Sequence, residues 1–134
     1  DEVNLASRLE GANKFFGSGV IVSESTYEGC KDRIAARALG RVRVVGKVTA
    51  IRIFEPVGER GRLSPAWEQG LPIYEKGAAA FEARKYAEAL AAFQAFARIF
   101  PQDGPGPLYL NRCQEYAVLP PDEAWDGIFN LTAK

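Results

Sequence analysis

The apolar pattern of this 134-residue chain changes period once, near residue 60, and that change constrains the fold more than any other feature. Before it, apolar residues come in short β-branched runs: Val20-Ile21-Val22, Val42-Arg43-Val44-Val45 and Ile51-Arg52-Ile53-Phe54. Such runs suit a half-buried pleated surface. After it, Ala, Leu, Phe and Tyr recur at three- and four-residue steps, the spacing of one helix face. Between them lies the polar stretch Gly58-Glu59-Arg60-Gly61-Arg62-Leu63-Ser64-Pro65. The expected organisation is a mixed segment over 1–57, a linker over 58–65 and a helical segment over 66–134, an α+β chain.

Within the first segment, Leu5, Leu9, Ala12 and Phe16 form one face of a helix that Gly17-Ser18-Gly19 ends. Val20-Ile21-Val22 reads as a buried strand. Ser25 with Glu28 has capping-box spacing and predicts a short helix to about Lys31. Arg41–Val45 and Thr49–Glu55 read as strands joined by a hairpin at Gly46-Lys47, with Pro56 stopping the second.

In the second segment, Ser64 is a good N-cap and Pro65 suits the first helical position. Leu71, Tyr74, Ala78 and Phe81 make one stripe, and Ala89, Phe93, Phe96 and Phe100 make the stripe of a helix over about 87–100. Pro101 to Pro105 breaks it, a third helix covers about 108–117, and Pro120-Pro121 ends that one. Trp125 and Phe129 sit in a short last segment expected to pack back on the helices. Gly77, Phe81, Tyr86, Ala89, Phe93 and Pro101 fall at the intervals of a single tetratricopeptide repeat. One repeat builds no concave peptide groove. The segment reads as a helical cap on the rest of the chain, with a partner-binding or dimerisation module as the alternative.

Composition closes off several chemistries. The chain has no His, which removes His bases, Ser-His-Asp triads and His-ligated metals. Lys and Arg together number 17, as do Asp and Glu, so no nucleic-acid footprint is expected. No apolar run is long enough for a membrane span. There is no Met, even at position 1, and the expectation is that the chain lies inside a longer polypeptide. Cys30 and Cys113 are expected as two free buried thiols.

Asn4 and Arg8 are four apart and project from one helix face, opposite Leu5 and Leu9. By themselves they read as a cap and a solvated cation. In context, Asp1-Glu2-Val3-Asn4-Leu5-Ala6-Ser7-Arg8-Leu9-Glu10 resembles the Gly-Asp-x-Val-Asn-x-Ala-x-Arg-Leu-Glu stretch of class III adenylate/guanylate cyclases. Gly19-Val20-Ile21-Val22-Ser23-Glu24-Ser25-Thr26-Tyr27, Leu39-Gly40-Arg41-Val42-Arg43-Val44-Val45-Gly46-Lys47 and Ile53-Phe54-Glu55 continue the resemblance. It covers about 1–57, the C-terminal third of a ferredoxin-like cyclase catalytic domain. Leu108-Tyr109-Leu110-Asn111-Arg112-Cys113 and Pro120-Pro121 resemble the all-α extension of bacterial membrane-anchored cyclases with an extracytoplasmic sensor.

The resemblance implies a parent enzyme that makes cyclic AMP and pyrophosphate from ATP, with GTP the less favoured substrate. It implies that Asn4 holds the ribose and that Arg8 stabilises charge developing at the α-phosphate. It implies two Mg or Mn ions held by aspartates outside this chain, so that the fragment holds no metal ligand and is inactive alone. It also implies a homodimer and a cytoplasmic location in a protein anchored in the inner membrane. The family often has Lys where this chain has Val45, and Lys47 or Arg43 is the expected substitute contact to the triphosphate.

Overall fold

The computed structural model describes residue 12, residues 15–43 and residues 49–130. Helix, strand and loop alternate in the first half: β1 (Val22–Ser23), α1 (Glu24–Glu28), β2 (Ile34–Arg43) and β3 (Ile51–Glu59). Three longer helices follow, α2 (Pro65–Glu82), α3 (Tyr86–Ile99) and α4 (Pro105–Val118), and then β4 (Phe129–Asn130). The strands form one sheet in the order β1-β3-β2-β4. β3 pairs antiparallel with β1 and β2, and β4 joins β2 in parallel. The architecture is mixed helix and sheet, compatible with α+β.

The helix ends follow local chemistry. Ser23 Oγ accepts from Thr26 N at 3.4 Å and caps α1, two residues earlier than the Ser25–Glu28 spacing suggests. Ser64 caps α2 through Trp67 N at 3.2 Å, with Pro65 at its first position as expected. Pro105 does not break structure. It opens α4, where its missing N–H costs nothing.

Pro56 does not stop β3. The strand runs on to Glu59, with Pro56 opposite Ala36 beside a register shift between Ala35 and Ala36. A bulge there spares the ladder the amide that Pro lacks. β2 starts at Ile34, seven residues ahead of expectation, and Gly58-Glu59 of the expected linker are strand. The C-terminal segment is not helical to its end, because Phe129–Asn130 pair with Val42 and Arg43.

α2 to α4 cover the sheet with a shared aromatic core. Phe16, Tyr74, Phe93 and Phe96 are fully buried beside Leu39, Val42 and Ile53. Phe93 stacks on Tyr109 at 5.2 Å, and Phe129 meets Phe16 at 5.8 Å and Tyr109 at 6.0 Å. Aromatic pairs at such distances add about 0.5–1.5 kcal/mol each beyond area burial. Gly77 sits against the Phe93 ring, where a Cβ would come within 2.9 Å, so the small residue lets α2 and α3 approach.

Candidate functional site

Asn4, Arg8, Val45 and Lys47 lie outside the described residues. Arg43, the remaining expected contact, stands at the end of β2. It donates to Asn130 Oδ1 at 2.6 Å and to Asp126 Oδ2 at 3.3 Å, and its side chain is half-buried. The Asp126 carboxyl is held below the usual range, first by the Ile128 N–H and then by Arg43. The C-terminal segment therefore engages the very cation that the sequence offers to a triphosphate.

A second ionic centre ties the two halves together. Arg37, in the middle of β2, is only 3% exposed. Its Nε donates to Glu55 Oε1 at 2.8 Å, and Nη1 and Nη2 reach both Asp103 oxygens at 2.8 and 2.7 Å. Glu55 Oε2 accepts from Gly19 N at 2.8 Å, and Asp103 Oδ2 accepts from Gly106 N at 2.7 Å. The guanidinium also lies 5.1 Å from the Trp67 ring centre and 5.2 Å from that of Tyr74. Burial, the largest influence, disfavours its charge, but the hydrogen bond to Asp103 and the nearby Tyr74, Asp103 and Glu55 together outweigh that loss, so its pKa is raised. A buried ion works only when its donors find partners, and here all three guanidinium nitrogens do. Sequence reading missed this centre. The available signal was one Arg inside Ala35-Ala36-Arg37-Ala38-Leu39, a charge at an otherwise apolar stretch.

Two cavities flank the same sheet. One of about 270 Å³ lies between β2, β3 and α2, lined among others by Tyr27, Phe54, Arg52, Glu75 and Glu82. Arg52 and Glu82 pair across it at 3.0 Å, which raises the Arg52 pKa, and burial raises that of Glu75. The other, of about 70 Å³, lies beside Arg41, Arg84, Tyr86 and Trp125. Cys30 is partly exposed and Cys113 buried, both free. Burial pushes the Cys113 thiol up to about 11, which leaves it a poor nucleophile. Among the described residues no three His, Cys, Asp or Glu side chains gather to hold a metal ion. Among them, too, no helix is long and apolar enough to cross a membrane.

No family model matches the chain, and no solved structure matches it. Curated proteins do. "Adenylate cyclase, terminal-differentiation specific" of Dictyostelium discoideum is 35% identical over 117 residues, 84% of this chain and 6% of that protein. "Adenylate cyclase 1" of Rhizobium meliloti (strain 1021) is 47% identical over 58 residues, 43% of this chain and 9% of that protein. "Adenylate cyclase" of Anabaena cylindrica is 38% identical over 58 residues, 41% of this chain and 12% of that protein. The chain thus spans 6% to 12% of the length of these relatives, while the first match is long enough to take in part of the helical half wherever it starts. Covering 41% to 84% of the chain, these homologues relate it to proteins named adenylate cyclase, and a cyclase family is the assignment they support.

Proposed function

We propose that the chain is the C-terminal piece of a class III nucleotide cyclase, with a tetratricopeptide-like tail, whose parent converts ATP into cyclic AMP and pyrophosphate. The observation that carries this reading is the 47% identity over 58 residues to a protein named for adenylate cyclase. The run Val3-Asn4-Leu5-Ala6-Ser7-Arg8-Leu9-Glu10 supplies the roles. Asn4 orients the ribose, so that the 3′-hydroxyl faces the α-phosphorus. Arg8 offers a planar fork of donors to the non-bridging oxygens there and cannot lose its charge. Phosphoryl transfer is mostly positioning and charge stabilisation, which such a residue can supply.

Arg43 already gives donors to Asn130 and Asp126, so of the two substitutes for the family's lysine the reading favours Lys47. The two Mg or Mn ions find no ligand cluster among the described residues. Their ligands belong to the rest of the parent, a homodimer with this part on the cytoplasmic side of a bacterial inner membrane. The helical tail acts as a cap bound to the sheet, a reading supported by the Arg37–Asp103 pair.

Arg8→Ala in the parent should lower cyclic AMP turnover by about 10²–10³, the usual loss for one transition-state donor. The chain alone, with ATP and Mn²⁺, should yield none. Unchanged turnover in the Arg8→Ala parent would remove Arg8 from the reaction.

A further inference from the structure

The smaller cavity contains donors that the fold does not use. Arg41 Nε and Tyr86 Oη are both buried, both belong to residues lining it, and neither has a hydrogen-bond partner among the described residues. Tyr86 as a whole is only 6% exposed. Leaving such a donor dry is costly, so a vacant pair in one cavity points to something that accepts from both.

The surrounding charge says what that is. Two guanidinium groups, of Arg41 and Arg84, and two carboxylates, of Glu82 and Asp126, line the cavity. Glu82 lines it but is paired to Arg52 at 3.0 Å, and Asp126 lines it but is paired to Arg43 at 3.3 Å. Among the described residues the hydrogen bonds of Arg41 and Arg84 go to carbonyl oxygens, and Arg84 also lies over the Trp125 ring. Arg41 Nη2 donates to Asp126 O at 2.7 Å. Arg84 gathers Pro121 O at 3.3 Å, Asp122 O at 3.0 Å, Glu123 O at 3.5 Å and Trp125 O at 2.8 Å. Both carboxylates are thus matched, whereas among the described residues the charges of Arg41 and Arg84, which also line the space, pair with no carboxylate. The volume, about 70 Å³, is far below the several hundred Å³ of an organic-cofactor pocket and well above that of one water.

We propose that this cavity is a binding site for a small monovalent anion of halide size, held by Arg41 Nε–H and Tyr86 Oη–H in the field of Arg84. Its occupant ties β2 to the start of α3 and to the segment before β4, which Arg84 already gathers. The site is independent of the cyclase reading and stands or falls without it.

Bromide is the probe. At constant ionic strength, sodium bromide replaces sodium gluconate, whose anion is too large for the cavity, and the melting temperature of the full chain is followed. The expected result is a saturable rise, about 4 °C at ten times the half-saturating concentration. Tyr86→Phe should raise that half-saturating concentration at least about tenfold, while Glu59→Gln, remote from the cavity, should not move it. Equal melting in the two salts overturns the proposal, as does an unchanged response in Tyr86→Phe, which would leave water as the occupant. Should that variant not fold, bromide-soaked crystals of the unaltered chain decide. An anomalous peak in contact with Arg41 Nε and Tyr86 Oη supports the site, and its absence overturns it.

Discussion

Two tyrosines in one core show how much a single hydroxyl decides. Tyr109 Oη donates to Leu39 O, a carbonyl that would otherwise be orphaned where β2 bulges. Tyr74 Oη is equally buried and has no partner among the described residues. Tyr74→Phe should therefore stabilise the fold by about 1 kcal/mol and Tyr109→Phe destabilise it by about as much or more, both read by urea unfolding. Burial also raises the pKa of both phenols and of the Cys113 thiol. Each group's folded value lies above its unfolded one, so the native state keeps protons that the unfolded chain releases. The Cys113 contribution is whole below about pH 9 and is lost as pH climbs through 9 to 11, whereas that of the two phenols starts to be lost only near pH 10 and goes on falling above 11. The melting temperature should fall across that window, and less steeply in Tyr74→Phe. Burial of these aromatics was legible from helical spacing, whereas their hydrogen bonds were not, because a hydroxyl's partner comes from a distant strand. Arg37 was hidden for the same reason, since its partners Glu55 and Asp103 lie 18 and 66 residues away.

At the scale of elements, caps and stripes were the legible part. Ser64, Pro65, Leu71, Tyr74 and Phe81 behave as their positions in the sequence imply. The strands were legible in existence and wrong in extent, because a bulge can absorb a proline that would end a regular ladder. Gly40 marks the second irregularity of β2. Its φ of +119° is one that L side chains rarely adopt, and a Cβ there would stand 2.6 Å from Tyr109 Oη. That hydroxyl cannot retreat without giving up Leu39 O. Gly40→Ala should therefore cost more than about 2 kcal/mol in urea unfolding, strain and overpacking combined. A loss below about 0.5 kcal/mol would mean that the bulge relaxes freely. Gly104, just ahead of α4, and Gly17, ahead of β1, meet more closely still, backbone on backbone.

At the scale of the whole molecule, the two halves that differ so plainly in sequence share one core and one buried ion centre. The sequence change near residue 60 marks a change of element type. It does not reveal that Asp103 and Phe129 return to the sheet, because nothing in local spacing encodes a long-range partner. On the proposed reading, Arg8 serves a site shared between two subunits, each chain's Arg8 facing the metal-binding aspartates of its partner. The most direct measurement mixes two inactive parents, one with Arg8→Ala and one lacking those aspartates. Each mixed dimer then has one site with both lesions and one with neither. With subunit exchange verified, cyclic AMP synthesis should reappear on mixing. If exchange occurs and no activity returns, the site is not shared in this way, and Arg8 does not act across the interface.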